Sequence, residues 1–210
     1  MSNNHVDVLI IGAGLSGGLT NSGSIYGNSV AVGVGDSPTA SSTMGAITNN
    51  ATGVIGVNSA GDAVAGRGIV VAGSNSDITG LITNSGAIVG TDAAILAIAG
   101  GDISGGINNT GTIGRAPTSG TSATANVGIG VSSGGDISGT ITNSGTIVGT
   151  SIAIAVAASS AISGGIVNSG NITGGTSAGN DAVNVVGGIW GSTADVGITN
   201  YTGGVISGKD

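Results

Sequence analysis

One short phrase returns seven times along this chain, and its period restricts the fold more than any other feature. It reads LTNSGSIYG at 19–27, LITNSGAIVG at 81–90, GINNTGTIG at 106–114, TITNSGTIVG at 140–149 and GIVNSGNITG at 165–174. Looser copies are AITNNATGVIG at 46–56 and GITNYTGGVISG at 197–208. The phrase places Asn21, Asn49, Asn84, Asn109, Asn143, Asn168 and Asn200 at spacings of 28, 35, 25, 34, 25 and 32. Short and long steps alternate, so the unit is a pair of turns of about 59 residues, a period that belongs to solenoids and similar arrays.

Each turn has the same internal order. An alternating aliphatic run comes first, as in AAILAIA (93–99), NVGIGVS (126–132) and IAIAVA (152–157). A Gly- and Ser-rich corner with a short strand follows, as in GGDISGGI (100–107), GGDISGTI (134–141) and SSAISGGI (159–166). The Asn-Gly-Ile phrase closes the turn. Alternation over four to seven residues is strand period, and no window sustains helical spacing. The sequence therefore predicts an all-β, right-handed parallel β-solenoid of about seven turns over residues 18–210. Residues 1–17 form an atypical N-terminal segment. A single turn cannot bury its own Ile and Val row, whereas stacking at ~4.8 Å buries them as continuous columns. The recurrent Asn is expected to form an amide ladder, each side chain donating to one neighbouring turn and accepting from the other.

Composition agrees where it bears on this. Gly contributes 45 of 210 residues, which suits corners that need positive φ. Hydrophobic residues reach 39% and charged residues only 6%, the reverse of a disordered chain. Aromatic residues are limited to Tyr26, Trp190 and Tyr201, which suits a narrow interior. With 3 Lys and Arg against 10 acidic residues, nucleic acid and anionic membrane surfaces are disfavoured as partners. The chain has no cysteine, so disulfides and thiolate chemistry are excluded.

The phrases ITNSGTIVG, GGDISGGINNTGTIG and ISGGIVNSGNITG resemble the passenger regions of Gram-negative autotransporters, over roughly residues 18–208. The resemblance implies a β-helical stalk at the cell surface or outside the cell, with structural display and adhesion as its roles. It also implies a C-terminal outer-membrane barrel in the full-length protein. The opening MSNNHVDVLIIGAG lacks the basic start of a signal peptide, and no barrel is present. The chain is expected to be an internal piece, an incomplete product or a fusion.

VDVLIIGAGLSG (6–17) resembles the N-terminus of flavin-containing monooxygenases. The resemblance implies FAD or NAD(P) binding through Gly12, Gly14 and Gly17, with Asp36 as the ribose partner, and gives an alternative function as an oxidoreductase fragment. The helix that should follow Gly17 would occupy GLTNSGSIYGN, which is too rich in Gly, Ser and Asn to form one. The expectation is instead a terminal strand capping the first turn, with Val6, Val8 and Ile10 alternating, and no cofactor. Residues 14–18 also fit the G-x-S-x-G pattern of a hydrolase elbow around Ser16. The chain's one histidine, His5, precedes that serine, whereas the pattern needs a later one.

Two groups of charged residues remain. Asp77, Asp102 and Asp136 recur at one point of successive turns, where a carboxylate column could hold Ca²⁺ or serve as the acid and nucleophile of a glycosidase. The simpler reading is an Asx-type turn pointing to solvent, and Ala161 in the next turn favours it. Insertions at 56–67, 115–124 and 174–183 lengthen every second turn and carry Asp62, Arg67, Arg115 and Asp181. They are expected to project from one edge as a face for a glycan or a host surface protein.

Overall fold

The computed structural model describes residues 8–10, 17–35, 41–56, 66–114, 125–175, 180–186 and 197–208. These residues form strands and connections without a helix. Strand pairing within them is parallel, and the chain visits four sheets in rotation. The molecule is a parallel β-solenoid, as the period and alternation predict.

Sheet 1 holds the long aliphatic strands, including Arg67–Ala72, Ala93–Ile98, Val127–Ser132 and Ile152–Val156. Sheet 2 holds two-residue strands such as Asp77–Ile78, Asp102–Ile103 and Asp136–Ile137. Sheets 3 and 4 are the two halves of the recurrent phrase. In one rung they are Ile107–Asn109 and Thr112–Ile113, and in the last they are Ile198–Asn200 and Val205–Ser207. Among the described residues sheets 1, 3 and 4 have seven strands each and sheet 2 has five.

Register places identical side chains on top of one another. Ile47, Ile82, Ile107, Ile141 and Ile166 stack in sheet 3. Ile55, Ile88, Ile113, Ile147 and Ile172 stack in sheet 4. Ile78, Ile103, Ile137 and Ile162 do so in sheet 2. All of these are essentially inaccessible to solvent. Each such side chain contributes roughly 1.5–3 kcal/mol by burial. The columns converge on one core, so no rung is stable without its neighbours.

The segment resembling a dinucleotide-binding start joins this pattern. Val8–Ile10 is the end strand of sheet 1 and pairs in parallel with Val32–Val34 of the next rung. Val6 lies outside the described residues. Leu19–Asn21, soon after Gly17, is already a strand of sheet 3.

Candidate functional site

The asparagine column is continuous. Asn21 donates from Nδ2 to Oδ1 of Asn49 at 2.8 Å, Asn49 to Asn84 at 2.8 Å and Asn84 to Asn109 at 2.8 Å. Asn109 donates to Asn143 at 2.8 Å, Asn143 to Asn168 at 2.7 Å and Asn168 to Asn200 at 2.8 Å. The other amide hydrogen goes to backbone carbonyls, for example Asn109 to Gly111 at 3.3 Å and Thr146 at 3.1 Å. Each interior amide is fully buried with its donors and acceptors engaged, which is the condition for holding polar groups in a core. A ligand would have to displace these bonds, so the column works as a structural spine.

The aspartates also stack, and their oxygens are taken up by the fold. Asp77 and Asp102 are register partners in sheet 2. Asp77 accepts from the Ser104 backbone N–H at 3.1 Å and from its hydroxyl at 2.8 Å. Asp102 accepts from the Asp136 N–H at 3.0 Å, and Asp136 from the Ala161 N–H at 2.7 Å. Each carboxylate thus satisfies a backbone donor of the next rung, where a local Asx turn had been the simpler expectation. Partial burial raises the Asp102 pKa; the Asp136 N–H bond opposes the rise, and the charges of Asp136 and Asp77 add to it. No group of three or more His, Cys, Asp or Glu among the described residues is arranged to hold a metal ion.

Of the charged residues on the insertions, Asp62 and Arg115 lie outside the described residues. Arg67 opens a strand of sheet 1 and pairs with Asp92 of the next rung, at 3.1 Å from Nη2 and 3.2 Å from Nε. Asp181 accepts a short hydrogen bond from Asn184. Arg67 and Asp181 stand four rungs apart, ~19 Å along the axis, so the fold does not bring them together.

The insertions themselves share one corner. Gly56, Gly114 and Gly175 follow strands of sheet 4 within two residues, and Gly66, Ala125 and Asn180 precede strands of sheet 1 by one to three residues. In the rungs between, sheet 4 passes to sheet 1 in a few residues, as from Ile88 to Ala93. The neck of the 115–124 insertion is closed by the Ala125 N–H donating to the Gly114 carbonyl at 2.6 Å.

Glycines in the left-handed region make two of these necks. Gly56 and Gly114 have φ of 102° and 98°. A Cβ on either would lie 1.8 Å from the carbonyl oxygen of Val89 or Val148, and near the Cα of Gly68 or Gly128. The sequence gives no uniform sign of them: two rungs that loop out read Ile-Gly (55–56, 113–114), the third reads Ile-Thr-Gly (172–174), and two that run straight on read Ile-Val-Gly (88–90, 147–149).

The outer face of sheet 1 is more apolar than strand alternation suggested. A shallow hollow of about 180 Å³ there is lined by Ala93, Leu96, Val127, Gly130 and Ala155, with Asp92 and Ser132 also on its wall. Leu96 leans over Gly130, where a Cβ would lie 3.0 Å from its Cδ1.

Gly12 and Gly14 lie outside the described residues, as do Ser16, His5 and Asp36, and Gly17 is exposed. With Leu19–Asn21 as a strand, no helix starts at Gly18 to offer free N–H groups and a dipole to a pyrophosphate. No family model matches the chain, and no curated protein or solved structure matches it significantly.

Proposed function

We propose that the chain is a structural stem that displays loops on one corner, a segment of a secreted or outer-membrane autotransporter-like surface protein. The supporting observation is the shared origin of the three insertions, every second rung, on an otherwise unbroken stack of Ile columns and the Asn spine. Such a stack fixes the loops at a regular separation of two rungs, ~10 Å. An adhesive contact, with a glycan or a host surface protein as partner, would be made by the loops, because loops set on a rigid scaffold are where binding residues concentrate.

The test places an epitope in place of 115–124 and exports the chain on an outer-membrane barrel in a Gram-negative host. Antibody should label intact cells, and binding to host-cell glycans or proteins should fall when the three insertions are trimmed together. An epitope hidden on intact cells, or binding indifferent to all three insertions, would sink the reading. A copurifying flavin spectrum lost in Gly14→Val would establish the oxidoreductase reading instead.

A further inference from the structure

Four Asn-x-Thr triplets occur in the chain, at Asn50-Ala51-Thr52, Asn108-Asn109-Thr110, Asn171-Ile172-Thr173 and Asn200-Tyr201-Thr202. This triplet is the acceptor pattern for N-linked sugars. Placement of the first three follows the insertions. Asn50, Asn108 and Asn171 stand in the rungs of Asn49, Asn109 and Asn168, whose sheet 4 strands lead into the insertions at 56–67, 115–124 and 174–183. The rungs of Asn21, Asn84 and Asn143, which run straight on, contain no such triplet. The sites are therefore two rungs, ~10 Å, apart.

Each of the three is held at the surface with its threonine beside it. Asn108 lies between the buried Ile107 and Asn109, on the outer face of sheet 3, in register with Thr83 and Thr142. Asn171 is exposed on sheet 4, ahead of the buried Ile172. Residues i and i+2 of an extended chain face one side, so Thr110 and Thr173 share the outer face with these amides. Asn50 and Thr52 converge on Ser22 of the preceding rung. Asn50 Nδ2 donates to the Ser22 hydroxyl at 2.7 Å, and Thr52 Oγ1 to the Ser22 carbonyl at 2.8 Å. Ladder amides differ: Asn109 uses its Nδ2 hydrogens on Asn143 and on backbone carbonyls, leaving none for a sugar to replace. Asn200 belongs with the ladder, accepting from Asn168 and donating to the Gly204 carbonyl. The strands of sheets 3 and 4 contain no charged residue, so hydroxyls and amides alone hydrate this side of the molecule.

We propose that Asn50, Asn108 and Asn171 are acceptors for N-linked sugars in the folded molecule, one in each rung that carries an insertion. The incoming sugar is carried on a nucleoside or polyprenyl diphosphate and transferred by a separate glycosyltransferase. A bond forms between Nδ2 and the anomeric carbon, and the bond from that carbon to the diphosphate oxygen breaks. The diphosphate leaves with the electron pair, and one Nδ2 proton passes to the enzyme's base. Nδ2 keeps its second hydrogen, so the Asn50 bond to Ser22 survives. Bulky, hydrated groups then stand near the roots of the insertions, on the side that lacks charge. This inference does not depend on the display role.

Transfer to the folded 210-residue chain tests it. One arm supplies a soluble N-glycosyltransferase with UDP-glucose. The other supplies a membrane oligosaccharyltransferase with a polyprenyl-diphosphate oligosaccharide, and the arm that reacts identifies the donor. Peptide mass spectrometry should find sugar on Asn50, Asn108 and Asn171, with Asn200 accepting only in a released peptide. Each Asn→Gln variant should lose one sugar. Thr52→Ala, Thr110→Ala and Thr173→Ala should each abolish transfer to the matching Asn, and Thr→Ser at the same positions should retain it. Failure of both arms on the folded chain, transfer indifferent to the Thr→Ala changes, or equal modification of Asn200 in the folded chain would each overturn the inference.

Discussion

Asn143 and Asp102 show how one side chain serves two rungs. Asn143 both accepts from Asn109 and donates to Asn168. Asn143→Leu keeps the volume but strands both neighbours, and should cost about 1–3 kcal/mol in urea unfolding. Ser144→Ala, on the exposed side, should change little; equal losses in the two variants would contradict the ladder's role. For Asp102 the sign of the pH effect follows from its raised pKa, caused mainly by burial. The folded state holds the Asp102 proton more tightly than the unfolded state does. Stability from this group is therefore greatest below the unfolded-state pKa and falls as pH rises through the raised folded value. Asp102→Asn retains an acceptor for the Asp136 N–H and removes the charge. Its urea midpoint should exceed that of the parent at neutral pH, with the difference shrinking in acid. The exposed Arg67–Asp92 pair should be worth less than about 1 kcal/mol.

At the scale of elements, loops are admitted only where the backbone can make a neck. Gly114 occupies a left-handed conformation with the Val148 carbonyl against its α-carbon, whereas Gly23 has open space and ordinary φ. Gly114→Ala should cost at least about 2 kcal/mol from backbone strain alone, and Gly23→Ala should be nearly neutral by comparison. Because Ala125 and Gly114 are hydrogen bonded, replacing 115–124 with a two-residue turn should leave strand content unchanged and stability within about 1 kcal/mol. Circular dichroism melts check both; unfolding on trimming would put the segment in the core. Strand identity and insertion sites were legible because Ile alternation and the alternating period are local. The neck glycines were not, because their need arises from the carbonyl of a rung more than thirty residues away.

For the whole molecule, stability should run along the axis, since each rung contacts only its neighbours. Ile107→Ala, in mid-column, should cost about 2–5 kcal/mol, and Ile198→Ala, at a half-exposed position, much less. The Ile198–Asn200 amides, on an end strand, should exchange well before those of Ile107–Asn109. Uniform protection from end to end would mean that the solenoid opens as one unit.

The sequence by itself determined the repeat, the parallel solenoid and the asparagine spine, because each is a one-dimensional pattern copied from rung to rung. What each Asp carboxylate bonds and which glycines the loops require were decided by tertiary structure alone. These depend on what lies one rung above or below, and a sequence period does not specify that contact. GAGLSG marks the same boundary. Locally it reads as a nucleotide-binding turn, yet the segment that follows becomes a strand because Leu19–Asn21 has Ile47–Asn49 to pair with.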